Sequence, residues 1–291
     1  MSASRILVLG ASGFVGRQLA ALDRLREVTW AGRQGNCPIP GYVAVQGYDD
    51  PSISALVREH QVIVLLAALT RGRRAAAMQQ ANVETMRSVV KAVAAHQPAA
   101  RVIFLSSDLA SYALSPYGES KRDAEQVLLG SGLDAVALRA GPIAGFPLAG
   151  LDSSMQKLKA LSARPVVPAP GGGRFDMHPL WIEDLASILV ALAQRLGRTE
   201  DRGLWRALGA QVRYDALIRA FAARAGTVPR IVNIPVPLLV AGGRLLAALN
   251  PDTRFPLDFF EVLGRPATHP PDLFAHLGLS PSEPAQYLMK I

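Results

Sequence analysis

The first 140 residues or so alternate between short apolar runs and segments with helical spacing. The apolar runs include RILVLG, VIVLLAAL, VIFLSS and DAVALRA. Strands that are buried on both faces of a parallel sheet have continuous apolar sequences, and parallel neighbours need a long crossover that is usually helical. The pattern therefore predicts an α/β fold, with a doubly wound parallel sheet and helices on both of its faces.

The alternation of apolar runs and helical segments ends after Gly141. Beyond it, Pro/Gly-rich stretches such as GPIAGFPLAG and RPVVPAPGGGR separate helical patterns. We predict a sheet domain over residues 1–145, to which residues 178–208 return. A smaller, mostly helical cap is expected over residues 146–177 and 209–291. Ligands of open parallel sheets bind beyond the carboxyl ends of the strands. We therefore expect the ligand between the sheet and the cap.

A glycine-rich turn with the sequence GASGFVG directly follows the first apolar run and opens the first helical segment. Glycines at these positions permit a tight turn, close approach of a pyrophosphate and close packing of the helix. The helix N-terminus then offers free N–H groups and the positive end of its dipole to phosphates. The expected dinucleotide contacts in this turn are Gly10, Ser12, Gly13, Phe14, Val15 and Gly16.

The end of the second predicted strand indicates which dinucleotide binds. It has the sequence AGR, with no carboxylate to bind the 2′-hydroxyl of NAD. The guanidinium of Arg33 can stack on adenine and pair with a 2′-phosphate, although a solvated arginine is the competing interpretation. We expect NADP(H) as the preferred cofactor, with NAD(H) as the alternative. Asp49, after the third strand, is a further candidate for an adenine contact.

Tyr117 and Lys121 form a YxxxK pair at the start of a predicted helix. Residues four apart lie on one helix face, and a lysine beside a tyrosine favours the phenolate. The tyrosine can then exchange a proton with an alcohol or carbonyl, while the lysine can also bind the nicotinamide ribose. At the end of the fifth strand, Ser107 is the expected hydroxyl that holds the substrate oxygen, with Ser106 as the second choice.

Over about residues 4–210, the chain resembles an extended or atypical member of the short-chain dehydrogenase/reductase superfamily. The GxxGxxG turn, the strand-end serines and the YxxxK pair carry this resemblance, which is to the NAD(P)-dependent epimerase/dehydratase branch. It implies a Rossmann-type sheet, and it matches Asp184 to an acid of the family. It also implies further cofactor contacts at Ala67, Ala68, Asn82 and Pro142, and at Tyr117 and Lys121 themselves.

Some features depart from the epimerase/dehydratase pattern. Ser107 and Tyr117 are only ten residues apart, whereas sugar-nucleotide epimerases usually carry a longer loop between them. Ala140 stands where that branch often has proline, and Trp181 stands where a histidine is common. The short loop and the cap pattern also resemble partly non-catalytic relatives, namely NmrA-like NADP sensors and the accessory subunit of complex I.

Two hypotheses for function follow. The first is an NAD(P)(H)-dependent oxidoreductase or epimerase that acts on an alcohol or carbonyl of a small substrate by Ser-Tyr-Lys chemistry. A nucleotide sugar is one candidate substrate, and a small carbonyl or lipid-like compound is another. The second is a non-catalytic NADP(H)-binding sensor or assembly protein. For either function a homodimer is left open.

Composition excludes several other classes of protein. The single cysteine, Cys37, excludes a disulfide framework, and the sequence shows no signal peptide, so a cytoplasmic location is expected. The net charge of +8 comes from scattered arginines rather than a dense basic run, which argues against nucleic-acid binding. The tightest arginine cluster is Arg71, Arg73 and Arg74, and an anionic ligand remains the other explanation of the excess. The five histidines show no metal-ligand spacing.

The apolar run from Ile231 to Leu249 is the candidate for a membrane span. It contains two prolines near its start and a central pair of glycines. A spanning helix of about 20 residues does not favour that composition at its middle. We predict instead a helix that begins near Pro237 and packs on a ligand cleft.

Overall fold

The structure is a computed structural model that describes residues 4–33, 35, 37–69, 75–148, 154–249, 262–263, 265 and 267–291. The arginine cluster Arg71, Arg73 and Arg74 lies outside the described residues. The strands are β1 (Ile6–Leu9), β2 (Val28–Gly32), β3 (Val43–Ala44), β4 (Val62–Leu65), β5 (Arg101–Ser107), β6 (Asp134–Ala140), β7 (Ile143–Ala144), β8 (Val166–Pro170), β9 (Asp176–Met177), β10 (Leu180–Trp181), β11 (Gly203–Ala207), β12 (Val212–Arg213) and β13 (Arg230–Ile234). The α-helices are α1 (Phe14–Leu22), α2 (Pro51–Arg58), α3 (Ala75–His96), α4 (Pro116–Leu129), α5 (Ser154–Ser162), α6 (Ile182–Gln194), α7 (Tyr214–Arg224), α8 (Val236–Leu249), α9 (Leu273–Leu277) and α10 (Pro284–Leu288).

Seven strands form one parallel sheet in the order β3-β2-β1-β4-β5-β6-β11. The predicted doubly wound parallel sheet is therefore confirmed. The strand order reverses between β1 and β4, and a crevice for ligands opens at such a switch point. Every residue of β1 and β4 is buried, in agreement with their unbroken apolar sequences. Sequence analysis missed β11, whose sequence GLWRA lacks a continuous apolar run.

Two hydrophobic cores cover the two faces of this sheet. Val8 and Val64 belong to the core that also contains residues of α6, whereas Leu7 and Ile63 belong to the core that contains residues of α3. Successive residues of a strand point to opposite faces, so each buried strand supplies both cores. This double burial holds the carboxyl ends of β1, β4 and β5 in fixed positions.

The remainder of the chain forms short strand pairs and helices beside the sheet. β8 pairs with β13, β9 with β12, and β7 with β10. Within residues 271–291, the ring of Tyr287 stacks on Trp181, and Ser282 donates two hydrogen bonds to Asp184. Asp184, the acid matched to the family, thus anchors this C-terminal segment. The domain boundaries stay a prediction, although residues predicted to form the cap here contact α6.

The apolar run at residues 231–249 divides between two elements. Its first residues lie in β13, and helix α8 begins at Val236. Leu238 and Leu245 on α8 are exposed. Of the residues that the structure describes, none belongs to a helix both long enough and apolar enough to cross a membrane.

A buried arginine stabilises the sheet at the amino ends of its strands. Arg101 at the start of β5 is fully buried and lies 3.2 Å from Asp134 and 3.0 Å from Asp201. It also donates hydrogen bonds to the carbonyls of Leu192 and Arg198. A buried guanidinium is tolerated only when its charge and its N–H groups are satisfied in this way. This network joins β5, β6 and the segment after α6.

The turn before α1 is packed too closely for any side chain at Gly16. A Cβ at Gly16 would lie 2.4 Å from Cα of Ala11, which is backbone and cannot move aside. We predict that Gly16→Ala lowers the free energy of unfolding by about 2–3 kcal/mol in urea titrations. The matched control is Gly242→Ala in α8, where a Cβ meets no atom of the described residues within 4 Å. It should stabilise the protein by up to about 1 kcal/mol. Equal effects of the two changes would contradict the packing described.

Candidate active site

The glycine-rich turn lies at the switch point, between β1 and α1. Gly10 has φ of 91°, and a Cβ there would lie 2.5 Å from the backbone N of Ala67. A Cβ at Gly13 would meet only the carbonyl of Gly10, at 3.4 Å. Gly13 is exposed and precedes α1 without a side-chain cap, so the first N–H groups of the helix are available to an anion. Phe14 and Val15, the first two helical residues, are half-buried.

The end of β2 lies beside the turn. A Cβ at Gly32 would be 2.7 Å from the hydroxyl of Tyr42 and 3.3 Å from the hydroxyl of Ser12. The next residue, Arg33, is exposed, and its guanidinium carbon lies 5.8 Å from the ring centroid of Tyr48. Burial raises the pKa of Tyr48 to about 12, against the opposing charge of Arg33. Because residue 32 is glycine, no side chain of its own fills the space at the end of β2. The next residue in the chain is an arginine.

Asp49 is placed less directly. It is exposed, and its carboxylate would lie 2.5 Å from a Cβ at Gly47, so it folds over that glycine in the loop before α2. Its neighbour Asp50 caps α2 by accepting a hydrogen bond from Ser52 N. The adenine contact of Asp49 stays a prediction.

Asn82 connects the loop after β4 to α4. Its side chain accepts a hydrogen bond from Leu69 N at 2.6 Å and donates to Leu69 O at 3.1 Å and to Ser120 Oγ at 2.9 Å. Ala67 and Ala68, the residues before Leu69, are half-buried. Buried amides that are satisfied on both sides fix the geometry around them. Asn82 therefore positions the segment of Ala67 and Ala68 against the helix that carries Tyr117 and Lys121.

Lys121 is buried beneath Tyr117. Its Nζ donates a hydrogen bond of 2.8 Å to the carbonyl of Leu105 and lies 5.9 Å from the ring centroid of Tyr117. It also lies 4.4 Å from the ring centroid of Phe104. Burial lowers the pKa of Lys121 to about 7, against the opposing effect of Glu125. An ammonium with this pKa exchanges its proton near neutral pH, 5.9 Å from the centre of a tyrosine ring.

The two serines at the end of β5 differ in their surroundings. Ser106 is buried and donates a hydrogen bond of 2.5 Å to Glu125, which also pairs with Arg139 at 2.6 Å. Ser107 is half-buried, and its hydroxyl accepts a hydrogen bond from Leu109 N at 3.3 Å. Since a hydroxyl with one acceptor bond keeps its proton available, Ser107 is better placed to donate to a ligand than Ser106.

The short segment between Ser107 and Tyr117 folds as a 3-10 helix, Asp108–Ser111, and residues 112–115 connect it to α4. Gly118 makes this possible, because a Cβ there would lie 2.7 Å from the carbonyl of Leu109. A cavity of about 310 Å³ opens beside this segment. Among the described residues, those that line it are Ser111, Tyr112, Leu114 and Arg265.

The loop after β6 also lies at the carboxyl ends of the strands. Pro142 is half-buried, and its carbonyl accepts a hydrogen bond from Leu180 N at 3.0 Å. The buried side chain of Gln18 bonds both N and O of Phe146, at 2.9 and 2.7 Å. This loop is therefore attached to α1, the helix that follows the glycine-rich turn.

Comparison with known proteins agrees with this arrangement. The family model described as "NAD dependent epimerase/dehydratase family" matches residues 6–202. The chain belongs to this family. The match includes the glycine-rich turn, the serines of β5 and the YxxxK pair, and it confirms the resemblance inferred from those motifs.

Relatives of this epimerase/dehydratase family member act on or bind nucleotide sugars. A dTDP-6-deoxy-L-talose 4-dehydrogenase (NAD(P)(+)) of Kitasatospora kifunensis is 26% identical, over 92% of this chain and 85% of its own. The structure of MoeE5 in complex with UDP-glucose and NAD has a TM-score of 0.71 and 19% identity, covering 98% of this chain and 96% of its own. A UDP-glucose 4-epimerase of Thermotoga maritima with UDP-glucose has a TM-score of 0.64 and 17% identity, covering 79% and 85%.

The residues at the carboxyl ends of the strands fit a nicotinamide dinucleotide. Gly13 leaves room for a pyrophosphate beside the uncapped start of α1. The hydroxyl of Tyr42 is buried at the end of β2 with no hydrogen-bond partner among the described residues. The ammonium of Lys121 lies at the other end of the same edge. The site therefore offers groups for the phosphates, the adenosine and the nicotinamide ribose.

Sequence reasoning missed Tyr42 and Glu125. Tyr42 lies in a loop with no motif, and it reaches Gly32 only because β3 pairs with β2. Glu125 follows Lys121 by one helical turn and looks like an ordinary surface acid, yet it is buried against Ser106 and Arg139. A single sequence carries no signal for contacts of this kind, because they depend on tertiary pairing.

Lys121 should make stability depend on pH. The folded-state pKa of about 7 lies below the unfolded value of about 10.4. The cost of burying the charge is complete below about pH 7, and it shrinks by about 1.4 kcal/mol per pH unit between the two pKa values. We predict that Lys121→Met is more favourable, relative to wild type, at about pH 6 than at about pH 9 in urea unfolding. Lys91→Met, at an exposed position of α3, is the control and should show no such trend. A pH-independent difference for Lys121→Met would contradict the buried ammonium.

Proposed function

We propose that this chain is an NADP(H)-preferring oxidoreductase or epimerase that acts through Ser107, Tyr117 and Lys121. The observation that carries this proposal is the buried ammonium of Lys121, held by the carbonyl of Leu105 at 2.8 Å and 5.9 Å from the ring centroid of Tyr117. A buried lysine is rare unless it is paired or functional. Its position beside a tyrosine at the ligand-binding edge of the sheet supports the functional explanation.

The three side chains have distinct roles in the proposed reaction. Tyr117 exchanges a proton with the oxygen of a substrate alcohol or carbonyl, and the neighbouring ammonium of Lys121 stabilises its phenolate. Ser107 donates a hydrogen bond to the same oxygen and stabilises the charge that develops there. The hydrogen bond to the carbonyl of Leu105 keeps Lys121 in place. The bound dinucleotide supplies or accepts the hydride.

We propose a nucleotide sugar as the substrate. A surface hollow of about 310 Å³ lies beside the segment that joins Ser107 to Tyr117, and Ser111, Tyr112 and Leu114 of that segment line it. Arg265, which lines it, supplies a cation for an anionic group. The named substrates of the talose dehydrogenase and of the UDP-glucose complexes support this class.

A non-catalytic NADP(H)-binding protein is the second candidate. The ten-residue spacing favours it, because a short segment that folds as the 3-10 helix Asp108–Ser111 directly after Ser107 replaces the longer loop of sugar-nucleotide epimerases. The two candidates share the dinucleotide site and differ in turnover. A turnover measurement therefore separates them.

Turnover by the wild type and by Tyr117→Phe provides that measurement. We predict that it lowers turnover of dTDP-sugar or UDP-sugar substrates by at least about 100-fold, since general acid–base catalysis contributes about 10²–10⁴-fold. The dissociation constant for NADPH should change by no more than about tenfold, because one neutral hydrogen bond at most is lost. Nicotinamide absorbance and calorimetry report the two quantities. Wild-type protein that binds NADPH but turns over none of these sugars would favour the non-catalytic candidate.

Arg33→Ala tests the cofactor preference. Charge-assisted hydrogen bonds between a guanidinium and a phosphate contribute about 1.5–3 kcal/mol each, which corresponds to a preference of roughly tenfold to hundredfold. We predict that the variant loses NADPH affinity by this factor and keeps its NADH affinity, as measured by calorimetric titration. Equal affinities of the wild type for both cofactors, or a variant that retains the preference, would remove Arg33 from the site and leave the glycine-rich turn in it.

A further inference from the structure

The hydroxyl of Tyr42 occupies the place where a side chain at the end of β2 would begin. A Cβ at Gly32 would lie 2.7 Å from this hydroxyl oxygen, closer than real Cβ contacts allow. Gly32 and Tyr42 are therefore complementary: the glycine makes the room that the phenol fills. Ser12 of the glycine-rich turn lies on the same spot, with its Oγ at 3.3 Å from that Cβ position.

The fold holds Tyr42 firmly in this place. Its backbone N donates a hydrogen bond to Ile39 O at 3.2 Å, closing a turn directly before β3. The following residue, Val43, pairs in register with Ala31 of β2. Ile39 is buried, and Tyr42 itself packs against the same hydrophobic core. The phenol is therefore attached to β2 by strand pairing as well as by packing.

The hydroxyl nevertheless has no hydrogen-bond partner among the described residues, although its oxygen is buried. An unsatisfied buried hydroxyl destabilises a folded protein, and such groups are rare in native structures. A phenol hydroxyl needs an acceptor for its proton. Phosphate oxygens and ribose hydroxyls are both suitable acceptors.

We propose that Tyr42 is a specificity-determining residue, whose hydroxyl donates a hydrogen bond to the 2′-phosphate of NADP(H) at the end of β2. This inference rests on the proposed function. Two hydroxyls, those of Tyr42 and Ser12, lie beside Gly32, and the exposed Arg33 is the next residue of the chain. Glycine at position 32 both removes the carboxylate that repels a phosphate and admits the phenol that binds it.

Tyr42→Phe tests this role, with Tyr214→Phe as the matched loss of a hydroxyl. Tyr214 begins α7 and stacks on Phe175, away from the glycine-rich turn. Calorimetric titration with NADPH and NADH gives both affinities, and thermal unfolding without cofactor gives the Tm. For Tyr42→Phe we expect NADPH affinity at least about tenfold weaker, NADH affinity within about threefold, and a Tm that does not fall. Tyr214→Phe should leave both affinities unchanged.

The Tm separates a binding role from a structural one. A phenol that only supports the loop would lower the Tm of the cofactor-free protein when its hydroxyl is removed, and that result would overturn the inference. Unchanged NADPH affinity, or an equal loss for NADPH and NADH, would also overturn it. Wild-type protein that binds neither dinucleotide would instead overturn the proposed function, and this inference with it.

A second pair of variants tests the juxtaposition itself. Gly32→Ala should lower the Tm of the wild type, because the new Cβ meets the Tyr42 hydroxyl at 2.7 Å. In the Tyr42→Phe background that oxygen is gone, so the same change should lower the Tm less. Additive effects of the two substitutions would contradict the contact on which the inference depends.

Discussion

Close backbone contact at the switch point is the constraint on which this site depends. Gly10 approaches Ala67, and Gly16 approaches Ala11, at distances that leave no room for a Cβ. These contacts bring the start of α1 against the loop that follows β4. The uncapped N-terminus of α1 therefore faces the crevice between diverging strands, where an anion gains both hydrogen bonds and the helix dipole.

A buried charge lies at the other end of the same crevice. Lys121 keeps its hydrogen bond to Leu105 although burial disfavours its charged form. Asn82 accepts a hydrogen bond from Leu69 N and donates to Leu69 O and Ser120 Oγ, which connects α4 to the loop after β4. The glycine-rich turn and the Tyr-Lys pair are thus attached to one rigid framework, because both cores of the sheet hold the strands between them.

The sequence predicts the parts of this arrangement that local patterns specify. Apolar runs indicated β1, β4, β5 and β6, and the spacing of glycines indicated the turn before α1. It did not indicate β11, because this edge strand, with the sequence GLWRA, lacks a continuous apolar run. Nor did it indicate the burial of Glu125 or the position of Tyr42. Those features depend on which face of α4 packs against the sheet and on the pairing of β3 with β2. A single sequence does not show such tertiary contacts.

We propose that one dinucleotide extends along the carboxyl ends of the strands, from Arg33 past Gly13 to Lys121. A crystal structure of the protein with NADPH tests this most directly. We expect the 2′-phosphate beside Tyr42 and Arg33, the pyrophosphate at the start of α1 and the nicotinamide ribose within hydrogen-bond distance of Lys121 Nζ. NADPH bound elsewhere, or bound with its nicotinamide ribose away from Lys121, would contradict it.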